Sequence, residues 1–509
     1  MPFNTKVKLK SRIGLKAGLL VLGLVASGAL LAFALAYVEG LEEVTPAAPT
    51  VTYQDISGAC PGQIWGNVRL VGDLAGASNC LIPMADNLII DGNGKTATVT
   101  SGDAVNIFDR ANITVRNLNS NRGIGILGDS ADNVVIEYST FSGISVYAAD
   151  DAVIRNNTIN GGLVVSYWFP DNNAAERATI SGNTITGSGT RFIDIVGYGN
   201  SSTVYAPISP GSPEAESLRR CPLTQHTVTN NIITNTIDST ADNPLTMYLR
   251  CGRGNVVSGN TIRATGEAQG LFLRDGANFN AITNNAVWVN KAIGGTRGAL
   301  AVTSGNEGAD FKGYPSNNTF SGNVIRADAA HALWLQAPAD NNLYANNVVW
   351  SRSGFGSQLA IGQGNTFDHN TFVTGTPGLA VRLASGSAPG DNTITNNIFS
   401  HEGGDTLAID GVAGYDGYVG NGNLLFNRSG SARFFGTMNL NQWKTMSGEG
   451  TKSKEGDPLF VDAGNGDFSL NTASPARGAG TDGSDIGAKP YTDTTIKQPP
   501  IKRSPPRAP

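Results

Sequence analysis

The chain predicts an all-β, right-handed parallel β-helix, a solenoid of about 12 stacked turns. Three observations carry that expectation. A short Asn-rich motif recurs along residues 85–399. Its spacing clusters in the mid-twenties, one coil turn of three short strands. Gly is abundant at 64 residues, while charged residues make up only 15%.

The motif is an apolar strand, a polar pair ending in Asn, and a second short apolar strand. ADNLIIDGN (85–93), ADDAVIRNNTI (149–159), AERATISGNTI (175–185), GNVVSGNTI (254–262), NNTFSGNVI (317–325), NNLYANNVV (341–349) and DNTITNNIF (391–399) are examples. The marker asparagines are Asn157, Asn183, Asn231, Asn260, Asn285, Asn323, Asn347, Asn370 and Asn397, spaced by 26, 48, 29, 25, 38, 24, 23 and 27 residues. The longer steps hold loop insertions. Asn suits a tight bend because it tolerates left-handed backbone. Stacked on itself, its amide can bond the turns above and below. Alternate Val, Ile, Leu and Phe then point inward. Twelve turns at about 4.8 Å make a rod of roughly 55–60 Å.

The ends read differently. Lys6, Lys8, Lys10, Arg12 and Lys16 precede an apolar run, Ala17 to Val38. Residues 1–36 are therefore expected to be a cleaved signal peptide, with a cleavage site at Ala34-Leu35-Ala36, or an uncleaved membrane anchor. Either reading exports the body to the cell surface, periplasm or medium, with membrane contact only through 17–38. Residues 37–55 form a stem, 56–490 the β-helix, and 491–509 (TDTTIKQPPIKRSPPRAP after Tyr491) a disordered Pro-rich basic tail. Cys60, Cys80, Cys221 and Cys251 are an even set in an exported chain. Of three connectivities, the local one, Cys60–Cys80 with Cys221–Cys251, is preferred. A net charge of −5 without a clustered basic surface argues against nucleic acid as a partner.

The coil resembles the right-handed parallel β-helix of the pectin-lyase-like superfamily. The resemblance covers about 56–491. It is carried by the opening DLAGASNCLIPMADNLIIDGNGKTATV after Cys60 and by the closing DPLFVDAGNGDFSLNTASPARGAGTDGSDIGAKPY (457–491), similar to the final coil and cap of bacterial β-helix proteins. It implies a polysaccharide as partner; separately, the chain is expected to be a monomer.

A second strand in each turn carries the candidate site. Aligning RFIDIVG (191–197), PLTMYLR (244–250), QGLFLRD (269–275), RGALAVT (297–303) and HALWLQA (331–337) on their inward pairs forces the other residues outward. One outward column reads Asp194, Tyr248, Phe272, Ala301, Trp334, and its neighbour reads Val196, Arg250, Arg274, Thr303, Gln336. Exposed aromatics beside guanidinium groups would make a stacking platform for sugar rings with partners for carboxylates. Above and below, the column is small (Ser145, Ala360, Ala408). Insertions at about 197–224, 286–297 and 304–316 would wall a groove, with Cys221–Cys251 pinning the largest beside Arg250.

For a polyuronate lyase, the activity the resemblance favours, Arg250 and Arg274 would both neutralise the uronate carboxylate and remove the C5 proton, and Asp194 and Tyr248 complete the catalytic set. Tyr248, His331, Lys312 and Tyr314 are further candidate bases. Phe272, Trp334, Gln336 and His331 would bind substrate. A glycoside hydrolase would instead need paired carboxylates, for which Asp194, Glu267 and Asp275 are available. A non-catalytic glycan-binding or structural rod is the alternative. The polygalacturonase set and the Asp-Pro-His-Asp signature of alginate epimerases are absent. No acidic cluster marks a calcium site, and no cofactor is expected. Asp150-Asp151 is a turn position, matching Asp86-Asn87 and Asp132-Asn133; His226 and His369 occupy motif positions, and His401 stands after the last repeat without an evident partner.

Overall fold

Three short strands make each turn, and each strand pairs in parallel with its counterpart one turn on. Leu245–Arg250, Val256–Ser258 and Thr261–Ala264 are followed by Gln269–Arg274, Ala281–Thr283 and Ala286–Val289 in the same order. The computed structural model describes residues 51–168, 173–197, 221–238, 244–291, 298–303, 314–336, 339–352 and, in shorter stretches, 357–488. The expected signal or anchor, most of the stem, the three insertions for the greater part and the tail lie outside the described residues.

The second and third strands of every turn share one long sheet, and the first strands form another. Among the described residues the latter has seventeen strands, from Gly62–Ile64 to Met438–Asn439, two of them short antiparallel additions, Asn173–Ala174 and Met438–Asn439. The coil therefore has more turns than the asparagine motif marks, because its first turns carry no ladder asparagine. Inward side chains such as Val257, Ile262, Met247, Leu249, Leu271 and Leu273 are buried and continuous through the rod. Phe320, Tyr344 and Phe367 stack nearly parallel, with centroids 4.8 and 4.6 Å apart.

All nine marker asparagines are buried and form one ladder. Each side-chain Nδ2 and backbone N–H donates to the Oδ1 of the next: Asn157 to Asn183, Asn183 to Asn231, and so on to Asn397 and Asn423, with side-chain distances of 2.9–3.2 Å. Ser139 and Ser453 occupy the ends of the ladder, where Asn is no longer found. The left-handed residue, however, is not the ladder asparagine but the one before it. Asn156, Gly182, Asn230, Gly259, Asn284, Gly322, Asn346, His369, Asn396 and Gly422 all have positive φ. The two members of the pair divide the work: the first supplies the bend, the second the bonds.

A second ladder, unforeseen in the sequence, runs along the other end of the same strands through Asn255, Asn280, Asn318, Asn342, Asn365 and Asn392. His226 begins it, accepting from Ala178 N–H through Nδ1 and donating its own N–H to Asn255. Burial pushes the His226 imidazole down to about 4. Asp132 and Asp150 cap successive turns in the same manner, each accepting a backbone N–H from the next, so Asp150 is indeed a turn residue.

Outside, the N-terminal turns are held in register by alternating charge: Asp55, Arg69, Asp91, Arg116, Glu137 and Arg155 follow one another across neighbouring strands. At the other end a helix absent from the sequence expectation, Leu440–Ser447, begins at an Asn439 capping box and ends at left-handed Gly448. The segment 457–488 then closes the rod, with Ala476 and Ile486 packed on Ile398 and Leu424. Cys60–Cys80 and Cys221–Cys251 are both disulfide-bonded.

Candidate functional site

Strand pairing sets Asp194, Tyr248, Phe272, Ala301 and Trp334 in one row across five turns, and Val196, Arg250, Arg274, Thr303 and Gln336 in the next. The register expected from the inward pairs is therefore the register of the fold. The exposure is not. Tyr248 is 1%, Phe272 4% and Trp334 8% exposed, and with Leu245 and Ala301 they form an apolar cluster of their own, outside the main core. Tyr248 and Phe272 touch at a tilt, with centroids 5.7 Å apart. These aromatics are not an open stacking platform. Large apolar groups brought into register on one face lose less by covering each other than by facing water. Their burial decides the point that alternation alone left open.

His331, at the start of its strand, is also buried. The Gln336 side chain and Lys312 lie outside the described residues, and Tyr314 is half-buried away from these strands' pairing.

The charged groups remain together at one edge of this cluster. Arg250 Nε bonds Asp275 Oδ2 at 2.7 Å, and Arg274 Nε lies 3.5 Å from Asp275 Oδ1. Asp275 is buried in left-handed backbone, next to the Cys221–Cys251 bridge that follows Arg250. Asp275 thus serves the two arginines as a shared counter-ion, which limits the free positive charge they offer. Asp194 is the unusual member. Its Oδ1 is buried and accepts no hydrogen bond from a described residue. Burial pushes its carboxyl up to about 6, against the pull of Arg191 and Arg250. Arg191, at the head of the same strand, holds its guanidinium 5.7 Å from the centre of the Tyr248 ring. It lies in the segment aligned from sequence, but the alignment on inward pairs gave it no role. Burial likewise pushes the Tyr248 hydroxyl up to about 12, so it stays protonated at neutral pH.

Exposed aromatics do exist on this sheet, nearer the N-terminus. Phe108, Leu127 and Tyr147 follow one another in register, Phe108 half-exposed at 50% and the others partly so. Sequence alignment passed over them because it tracked the middle row, which is small there: Asn106, Gly125 and Ser145. That row runs on through Val164 to Asp194.

A carboxyl near 6 beside two guanidinium groups can give or take a proton near neutral pH while carboxylate ligands are held. Among the described residues no group of three or more His, Cys, Asp or Glu is placed to hold a metal ion. His369 and His401 are not part of this face. His369 takes the left-handed position of its motif, and His401 is fully buried in register with Thr374 and Asn427.

The stacked turns define a right-handed parallel β-helix. Residues 297–422 match the family model described as right handed beta helix region. No curated protein matches the chain in sequence. Solved structures that are similar include the mannuronan C-5 epimerase AlgE6 A-module of Azotobacter vinelandii, at 13% identity and a TM-score of 0.43, covering 77% of this chain and 90% of that one. A tailspike protein of E. coli bacteriophage HK620, in complex with a pentasaccharide, shares 12% identity with a TM-score of 0.37, covering 80% and 73%. A PL6 family polysaccharide lyase of Pseudopedobacter saltans shares 12% with a TM-score of 0.29, covering 74% and 93%.

Proposed function

We propose that this is an exported protein acting on an acidic polysaccharide, by lyase-type elimination at the Asp194 face. One observation carries the reading: a desolvated carboxyl, pushed up to about 6, with an unpartnered oxygen beside Arg191 and Arg250. A uronate carboxylate would be held by Arg191 and by whatever donors Arg250 and Arg274 keep beyond Asp275. Asp194 in its carboxylate form would take the proton on C5. The C5–H electrons become the C4–C5 double bond and the C4–O4 bond breaks. The departing oxygen takes the same proton back from Asp194. A carboxyl titrating near the working pH suits both halves of that transfer. Tyr248, buried against Phe272, would position Asp194 and Arg191 and not touch the glycan. The half-exposed Phe108 and the partly exposed Leu127 and Tyr147 would extend the binding face. The two disulfides fit export, because such bridges persist in oxidising compartments.

Burial of Tyr248, Phe272 and Trp334 favours a second reading, a glycan-binding or structural rod without catalysis. Purified protein incubated with a panel of polyuronates and glycosaminoglycans separates the two. Absorbance from new C4–C5 double bonds, lost in Asp194→Asn and Arg191→Ala, supports the lyase. No absorbance and no new reducing ends on any of them would leave the second reading.

A further inference from the structure

The long sheet carries a different row of planar and cationic side chains, on the third strand of successive turns. Thr261–Ala264, Ala286–Val289, Val324–Ala327 and Val348–Ser351 set Arg263, Trp288, Arg326 and Trp350 in register. Arg326 lies between the two indoles, 5.1 Å from the centre of Trp288 and 4.4 Å from that of Trp350. Asp328 braces the arrangement, accepting from Arg326 Nε at 2.9 Å and from Trp288 Nε1 at 3.1 Å. Trp350 is closed off by Phe468, whose ring meets it edge-on at 5.4 Å.

The other end of the row is partly exposed. Trp288 is half-buried, with Arg326 on one side of its ring. Arg263, one turn away on the other side, makes no hydrogen bond or ion pair with any described residue and does not stack on the indole. Exposed Asn290 follows Trp288, and exposed Arg352 follows Trp350, its N–H bonded to Ala327 beside Asp328. Among the described residues the strip carries three arginines, Arg263, Arg326 and Arg352, and one carboxylate, Asp328, which Arg326 engages. The Lys291–Asp238 pair at 2.9 Å, with Glu267 near Lys291, bounds the strip and leaves that excess in place. A register lock would account for Arg326 and Trp350. It does not account for an Arg263 without a partner among the described residues beside a half-buried indole.

We propose that this strip is a second binding surface, for a carboxylated or sulfated saccharide. Arg263 and Arg352 take the anionic groups, a sugar ring lies on the open side of Trp288, and Asn290 bonds a hydroxyl. An indole with a neighbouring guanidinium suits such a ligand because one group covers the apolar ring face while the other pairs its charge. The inference uses none of the residues of the Asp194 face and stands or falls apart from it.

The test is titration of the full chain with polygalacturonate and with heparin, and with dextran as the neutral control, followed by tryptophan fluorescence and calorimetry. Binding of either anionic polymer but not dextran, weakened about tenfold by Arg263→Gln and by Trp288→Ala, is the expected result. Arg69→Gln, on the N-terminal turns outside both faces, should leave it within about twofold, a difference under half a kcal/mol. Should Trp288→Ala melt well below the parent chain, Arg263→Gln decides alone, since that guanidinium holds no hydrogen bond or ion pair with a described residue and glutamine keeps most of its stem. Unchanged affinity in Arg263→Gln overturns the proposal, as does absence of binding by the parent chain. Loss of binding in Asp194→Asn with retention in Arg263→Gln assigns the glycan to the other sheet and overturns it equally.

Discussion

His369 Nε2 lies 2.7 Å from Ser484 Oγ, and its Nδ1 lies 2.7 Å from Asp368, so one imidazole ties a turn of the coil to the segment that closes it. Ser484 also donates to Asp482 at 2.7 Å. The three side chains have the order of a hydrolytic triad. Yet the serine bonds a second carboxylate, and Asp368 is already engaged by Thr395 and Asn396. A clamp is the reading these bonds support. His369→Ala should therefore loosen residues 476–488 without unfolding the coil. Hydrogen exchange should speed up there and stay slow in strands such as Ala281–Thr283; equal acceleration in both would refute a local clamp.

Asp194 ties stability to pH. Its folded carboxyl titrates near 6, above the ordinary 3.8. The sign follows: the neutral form is the one the fold tolerates, so its contribution is complete below about 3.8 and is lost as pH rises through about 6. Asp194→Asn should gain about 1–2 kcal/mol over the parent at pH 8 and almost nothing at pH 4. Urea denaturation at the two pH values measures it. A parallel loss of elimination activity would make Asp194 a group kept at the expense of stability.

The Tyr344 hydroxyl is buried in the stack with Phe320 and Phe367 and finds no partner among the described residues. An unmade hydrogen bond there costs about 1–3 kcal/mol. Tyr344→Phe should leave stability unchanged or raise it by about 1 kcal/mol, read as a higher melting temperature. A loss of similar size would mean that the hydroxyl is satisfied after all.

The two positions of the motif should respond oppositely to the same pair of substitutions. Asn230 has positive φ, so Asn230→Gly should be neutral and Asn230→Ala should cost about 1 kcal/mol. Asn285 donates twice to Asn323 and accepts twice from Asn260, so Asn285→Gly and Asn285→Ala should both cost about 2–4 kcal/mol. Chemical denaturation of the four variants checks the division. Similar losses for both alanine variants would undo it.

Reducing Cys221–Cys251, which closes a separation of 30 residues, should destabilise the chain by about 2–4 kcal/mol. Cys221→Ser with Cys251→Ser should also raise the mobility of Arg250, whose strand ends at the bridge; its signature is faster hydrogen exchange at Arg250 and Cys251 with little change at Val257.

The sequence by itself determined the coil, its register and the roles of its asparagines as a class. Those features repeat every turn, so a periodic pattern of inward Ile, Leu and Val with one polar pair leaves few ways to stack. It also placed Asp194, Tyr248, Arg250, Phe272, Arg274 and Trp334 on one outer face, because strand alternation admits two sides only. Tertiary structure alone decided which part of that face is open. Whether Tyr248 and Trp334 meet water depends on what lies over them, and no local pattern encodes it; the aromatics that do meet water, Phe108 and Tyr147, sit in rows where the sequence looked plain. The Asp275 counter-ion between two arginines, the second ladder beginning at His226, and the His369–Ser484 tie across 115 residues are of the same kind. Each joins groups far apart in the chain, and each exists only because the turns stack.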